Sequence, residues 1–269
     1  MKTKQKRHQD PQIEAWIMEG ESGASYELSV FTPNQSAPPS GYPVLYVLDG
    51  NAFFQMVADA IKLQSRRPDA TGVSPAVVVG IGYPGGEPFN RDRRFIDYTP
   101  PAETTELPPM PNGNSWPENG GANQFLSFIK EEVQPFVIDR FEINPDEQTI
   151  FGHSLGGLFA LYTLFNDPST FSGYIATSPS IWWNQQAVLE QETPFLHKLD
   201  THQEPIRLFL SVGSLEKAHM VTDADALAER LETHNCSTFT SAYVKGEEEN
   251  HMSIVPTILS KSLRFVLGA

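Results

Sequence analysis

Residues 149–157 read Thr-Ile-Phe-Gly-His-Ser-Leu-Gly-Gly, a serine with glycine two positions to either side. The setting constrains the fold more than the motif does. Gln148 to Phe151 is a short apolar run. Leu155 to Phe165 carries Leu155, Leu158, Phe159, Leu161, Tyr162 and Phe165, the spacing of a buried helix. A chain that passes from strand to helix through one residue strains that residue and leaves little room for side chains on its flanks. The spacing therefore predicts a strand–turn–helix elbow with the Ser154 hydroxyl exposed on its crest as a nucleophile.

A serine hydroxyl becomes a useful nucleophile when a base takes its proton, so the fold must bring a histidine to Ser154. His8 stands in a polar amino terminus, and His153 belongs to the elbow, where neighbouring side chains point away from the nucleophile. His197, His202, His219 and His234 fall in helix-like or polar stretches that read as solvated surface. His251 follows the strand-like run Phe239 to Val244 and the acidic loop Gly246 to Asn250, and it precedes the apolar helix Ile254 to Leu267. Serine first and histidine last is the chain order of an α/β-hydrolase. The carboxylate that orients such a base should follow the preceding strand, Ile206 to Val212. Glu216 is best placed, although Asp plus Glu number 33 and the residues leave a Ser–His dyad open. Backbone N–H groups are expected to receive the oxyanion. Leu155 supplies one, and Asn51 or Gly50 a second, from the turn after the buried strand Pro43 to Leu48.

The rest of the chain alternates strand-like and helix-like segments, which implies a mostly parallel sheet covered by helices on both faces. Strands are expected at Ala76 to Ile81 and Gly173 to Thr177, and helices at Ala122 to Phe141, Gln186 to Leu199 and Asp223 to Glu232. Gly82 to Pro100 reads as a loop, and a proline- and glycine-rich insertion follows near residues 100–121. No boundary divides the 269 residues, so a single domain is expected, with residues 1–20 frayed or peripheral. A net charge of −14 argues against nucleic acid and an anionic membrane surface as partners. The start lacks an apolar leader, no run approaches a membrane span, and the single cysteine, Cys236, suits a reducing compartment. These features point to a cytoplasmic protein. Scattered histidines imply no metal site, and no organic cofactor is implied.

Several stretches combine into a pattern: Leu48-Asp49-Gly50, Arg94 with Asp97-Tyr98-Thr99-Pro100, Gly120-Gly121-Ala122, Phe151 to Gly157, Ser178-Pro179-Ser180-Ile181-Trp182-Trp183, Val212 to Glu216, and His251. From about Tyr26 to the carboxyl terminus the chain resembles the "Putative esterase" family of α/β-hydrolases. Within it, the siderophore esterases that open enterobactin-like or bacillibactin-like trilactones are most similar. The resemblance implies Ser154 as nucleophile, His251 as base and a siderophore, ferric or iron-free, as small-molecule substrate. Arg93 and Arg94, near Arg91, are candidates for binding an anionic substrate, with Arg94 also readable as a structural ion-pair partner. Trp116 is a candidate for stacking on a flat acyl group, and Trp183, beside Trp182, for lining the pocket. Two alternatives remain: a broad-specificity short-acyl carboxylesterase or acyltransferase, and a non-catalytic siderophore-binding module.

Overall fold

The centre of the sheet is built from runs that are apolar without interruption, as strands covered on both faces must be. The computed structural model describes residues 2–6, 10–20, 23–103, 107–110, 113–199 and 201–268. Among these, nine strands form one sheet: β1 (Lys2–Lys6), β2 (Ile13–Glu19), β3 (Ser25–Phe31), β4 (Tyr42–Leu48), β5 (Val77–Gly82), β6 (Ile143–His153), β7 (Gly173–Thr177), β8 (Ile206–Gly213) and β9 (Phe239–Gly246). Their spatial order is β1-β2-β3-β5-β4-β6-β7-β8-β9. From β5 to β9 every neighbour is parallel, while β1, β2 and β3 join antiparallel.

The helices are α1 (Gly50–Gln64), α2 (Pro68–Thr71), α3 (Arg91–Tyr98), α4 (Ala122–Phe128), α5 (Gln134–Ile138), α6 (Leu155–Asn166), α7 (Glu192–Leu199), α8 (Ala218–Glu232) and α9 (Ile254–Leu267). Alternation along each strand divides the apolar residues between two cores. Leu45 and Val47 of β4 pack with Phe53 and Val57 of α1 and Ile258 of α9. Tyr46 and Leu48 turn the other way, toward Tyr98 of α3, Phe125 of α4 and Phe159 of α6. The arrangement is the mostly parallel α/β sheet that the alternating segments predict.

Four local expectations need correction. The described part of residues 1–20 is peripheral, as expected, but not frayed: β1 and β2 extend the edge of the sheet, and Ile13, Ala15, Trp16 and Met18 are buried. Gly82 to Pro100 is not all loop, because Asn90 accepts from Arg93 N–H and opens α3. The charged sequence Arg-Asp-Arg-Arg hides that helix, which buries Asp97 and Tyr98 instead of an aliphatic stripe. The expected helix over Ala122 to Phe141 is interrupted by a π-turn at Ile129–Val133. Pro135 follows it, and a proline has no N–H to return to the residue four earlier. Likewise the helix expected from Gln186 begins as an α-helix at Glu192, since Asn184, Gln185 and Gln186 have φ of 45°, 52° and 66°.

Candidate active site

β6 ends at His153 and α6 begins at Leu155, so Ser154 makes the whole turn at φ 60° and ψ −116°. Its N–H donates to Thr177 O at 3.0 Å, and its carbonyl accepts from Leu158 N at 2.9 Å and Ser180 N at 3.0 Å. The elbow closes so tightly that a Cβ on Gly152 would lie 2.0 Å from Gly156 O. A Cβ on Gly156 would meet Leu48 Cβ at an ordinary 3.5 Å. Of these two glycines, only the one before the serine is therefore sterically forced. The hydrogen-bonding neighbour of Ser154 Oγ is Ser180 Oγ at 3.5 Å.

His251 lies in the connection from β9 to α9. Asn250 shapes that turn, because its Oδ1 accepts from Met252 N at 2.9 Å and Ser253 N at 3.1 Å while Ser253 Oγ accepts from Asn250 N at 2.9 Å. His153 reaches across from β6 and donates from Nε2 to His251 O at 2.7 Å. A carbonyl can only accept, so the His153 proton sits on Nε2 and Nδ1 is bare; that atom is buried without a partner. Burial first, and then repulsion from His251, hold the His153 pKa down to about 3. The two imidazole centroids stand 4.5 Å apart.

Glu216 follows β8, and its fully buried carboxylate faces His251 with Oε2 on Nδ1 at 2.6 Å. Its other oxygen, Oε1, accepts from Gly213 N at 2.8 Å and Ser178 Oγ at 2.5 Å. Burial works to raise the Glu216 pKa, yet the bonds from His251, Ser178 and Gly213 outweigh it and hold the carboxyl below its ordinary value. Ser178 and Ser180 are thus part of the site, although the sequence reading uses their stretch only for its family resemblance.

Two helix N-termini converge on the elbow, and first-turn N–H groups have no intrahelical partner. Leu155 opens α6, and Asn51 is the second residue of α1. The Asn51 side chain is already engaged, donating to Tyr83 O at 2.9 Å and accepting from Tyr83 N at 2.7 Å. Any oxyanion contact from Asn51 must come from its main chain. Asp49, between β4 and α1, is buried at φ 50° and accepts from Arg94 Nε at 2.8 Å. Burial pushes the Asp49 pKa up to about 6 against the opposing effect of Arg94. Arg94 also donates to His153 O at 3.4 Å.

The four sequence candidates for substrate binding separate in space. Arg94 is consumed by its pair with Asp49 and lies inside the protein as a structural cation. Arg93 pairs with Asp97 at 2.8 Å and donates to Tyr26 OH at 2.8 Å. Arg93, Tyr26 and Asp97 line a cavity of about 890 Å³ that none of Ser154, His251 and Glu216 borders. Trp183 is fully buried and donates to Pro100 O at 3.1 Å, which corrects its expected place on the pocket wall. Trp116 is half-buried, with its ring 5.6 Å from Phe95 and 6.1 Å from the partly exposed Trp182. Its Nε1 donates to Pro108 O at 2.9 Å, so the insertion folds back on itself. His8, expected as a frayed residue, lies outside the described residues.

A buried carboxylate, an imidazole and a strained serine at the ends of β8, β9 and β6 can perform acyl transfer through a covalent intermediate. Comparison with known proteins agrees in kind. Residues 20–253 match the family model described as "Putative esterase". The ferri-bacillibactin esterase BesA of Bacillus subtilis (strain 168) is 41% identical over 246 residues, covering 90% of this chain and 85% of that protein. A siderophore enterobactin esterase of Emericella nidulans is 33% identical, covering 94% of this chain and 92% of that protein. The crystal structure of the BES protein from Bacillus cereus superposes with a TM-score of 0.94 at 45% identity, over 99% of this chain and 100% of that one.

Proposed function

The chain belongs to the "Putative esterase" family and is a carboxylic ester hydrolase, and we propose that Ser154, His251 and Glu216 carry out its reaction on the ester or lactone bonds of a siderophore. The observation that carries the reading is the Glu216–His251 contact of 2.6 Å beside a serine held at φ 60°. The siderophore class is supported by what the two similar esterases are described as hydrolysing.

In this reading His251 Nε2 takes the proton as Ser154 Oγ attacks the ester carbonyl. Glu216 fixes the tautomer through Nδ1 and supports the imidazolium that forms. Main-chain N–H groups of Leu155 and Asn51 receive the oxyanion, helped by the positive ends of α6 and α1. Collapse of the tetrahedral intermediate returns the proton to the departing alkoxide, and a water activated by His251 then releases the acid. The Ser154 hydroxyl must swing from Ser180 toward His251 for the first step, a tightening common when substrate binds. A ferric tris-catecholate is anionic, and Arg93 and Arg94 are already neutralised by aspartates. Arg91, whose side chain is 54% exposed and whose 3.6 Å pair with the exposed Asp92 is the loosest of the three, is therefore the arginine of this cluster to which we assign contact with an anionic group. Trp116 and Trp182 supply flat apolar surface for the acyl part.

Mass spectrometry of iron-free and iron-loaded trilactone siderophore after incubation with the protein tests the proposal, with p-nitrophenyl butyrate as control. Linear trimer, dimer or monomer should appear with the wild type and be absent with Ser154→Ala. Turnover of the small ester alone would remove the siderophore assignment and leave the esterase chemistry in place.

A further inference from the structure

The stretch Ser178-Pro179-Ser180 leaves β7 at nearly complete burial, with Ser178 0% and Ser180 2% exposed. Ser178 has φ 48°, the left-handed region that a residue with a side chain occupies at a cost. Its N–H is fixed on Ser211 O at 2.6 Å, and the carbonyl just before it, Thr177 O, receives Ser154 N–H at 3.0 Å. From that strained position the hydroxyl donates to Glu216 Oε1 at 2.5 Å. Two residues on, Ser180 N–H donates to Ser154 O at 3.0 Å, and the Ser180 hydroxyl stands 3.5 Å from Ser154 Oγ. A single turn thus grips the carboxylate behind the base and the nucleophile in front of it.

An ionised carboxylate only accepts, so the direction of the Ser178 bond is settled by chemistry. Gly213 N–H and Ser178 O–H together fill Oε1, which leaves Oε2 for His251 Nδ1. Without the hydroxyl, one backbone donor remains on Oε1 and the carboxylate gains freedom to rotate. We propose that Ser178 is a positioning residue: its hydroxyl locks Glu216 in the rotation that presents Oε2 to His251, and the turn it opens keeps that carboxylate in register with Ser154. The inference rests on Ser154, His251 and Glu216 being the catalytic set. A serine retained only to satisfy a buried carboxylate would affect folding and leave the chemistry of the folded enzyme unchanged.

The test is the pH profile of kcat/KM on p-nitrophenyl butyrate for Ser178→Ala and Ser178→Gly. The glycine variant relieves the left-handed backbone while also lacking the hydroxyl, so it separates strain from hydrogen bonding. Besides His251, the titratable groups facing Glu216 are His153 from β6 and Tyr243 from β9. Both variants should lose about tenfold in kcat with KM nearly unchanged. Their acid limb should move up by about half a pH unit, because a carboxylate that has lost a donor holds the imidazolium more tightly. A wild-type acid limb in both variants, with only a lower melting temperature, would overturn the role. Glu216→Gln separates this inference from its premise. If that variant keeps the wild-type rate and profile, the catalytic set itself is wrong; if it is impaired while the Ser178 variants are not, only Ser178 loses its assignment.

Discussion

The crest of the sheet and the described part of the insertion over residues 100–121 combine directional bonds and ring contacts in different proportions. At the crest, directional bonds fix each group of the proposed catalytic set: backbone donors on the Ser154 elbow, three donors on Glu216, and His153 on the carbonyl of His251. In the insertion the chief anchor is Trp116, which meets Phe95, Trp182 and Trp183 through its ring. Hydrogen bonds to charged or main-chain groups set atoms to within tenths of an ångström, whereas ring contacts tolerate sliding. Tolerance to small displacements therefore resides in the ring contacts. The proposed chemistry sits on strand ends, and the aromatic insertion, which the bond from Trp116 Nε1 to Pro108 O also ties down, stands beside it.

The largest effect is expected when a single methyl disturbs the crest. Gly152→Ala places a Cβ 2.0 Å from Gly156 O, so the elbow must open. Activity is expected to fall by at least about 10³-fold as the oxyanion donors lose alignment. Gly156→Ala puts its methyl at ordinary contact with Leu48 and should stay within about threefold of the wild type. Equal damage from both would mean that the glycines serve something other than the elbow's geometry. A smaller effect is expected in the insertion. Trp116→Ala should lower kcat/KM on a trilactone by about tenfold while changing p-nitrophenyl butyrate turnover by less than about twofold, as for loss of one aromatic contact. Parallel losses on both substrates would make Trp116 part of the scaffold.

Much of the crest was legible in the sequence because its requirements are local. The apolar run before Ser154, the glycine at 152 and the helix that follows can be read from one window, and Ile206–Gly213 and Ile254–Leu267 place Glu216 and His251 by their order alone. What stayed hidden depends on partners far along the chain. Arg94 could be weighed as a structural cation, but its mate Asp49 lies 45 positions away, as the 2.8 Å contact shows. Ser178 gives no local sign that it meets Glu216. Trp182 and Trp183 are adjacent and chemically alike, and only packing decides that Trp183 is buried while Trp182 reaches the surface. The first amino-terminal strand is hard to read from sequence because β1, Lys-Thr-Lys-Gln-Lys, carries charge where a strand would be expected to alternate with apolar residues. As an edge strand it needs a neighbour on one side only, and lysines suit such an edge.

The subtlest difference concerns acid stability, which the crest controls through His153. In the folded protein its pKa is held down to about 3, while in the unfolded chain a histidine takes its proton near pH 6.5. Between these values the unfolded state binds more protons, so stability falls as pH drops from about 6.5 toward 3. From pH 7 to pH 5 this residue alone removes about 2 kcal/mol. Asp49 acts with the opposite sign. Its folded pKa is raised to about 6, above an ordinary aspartate, so its burial becomes less costly as pH falls through 6, and the two effects partly cancel in the wild type. His153→Gln keeps an N–H that can reach His251 O and removes the titration. The variant should therefore lose several degrees less in melting temperature between pH 7 and pH 5 than the wild type does. Identical melting curves across that range would show that His153 does not remain neutral, and would undo the tautomer by which the elbow holds the loop of the base.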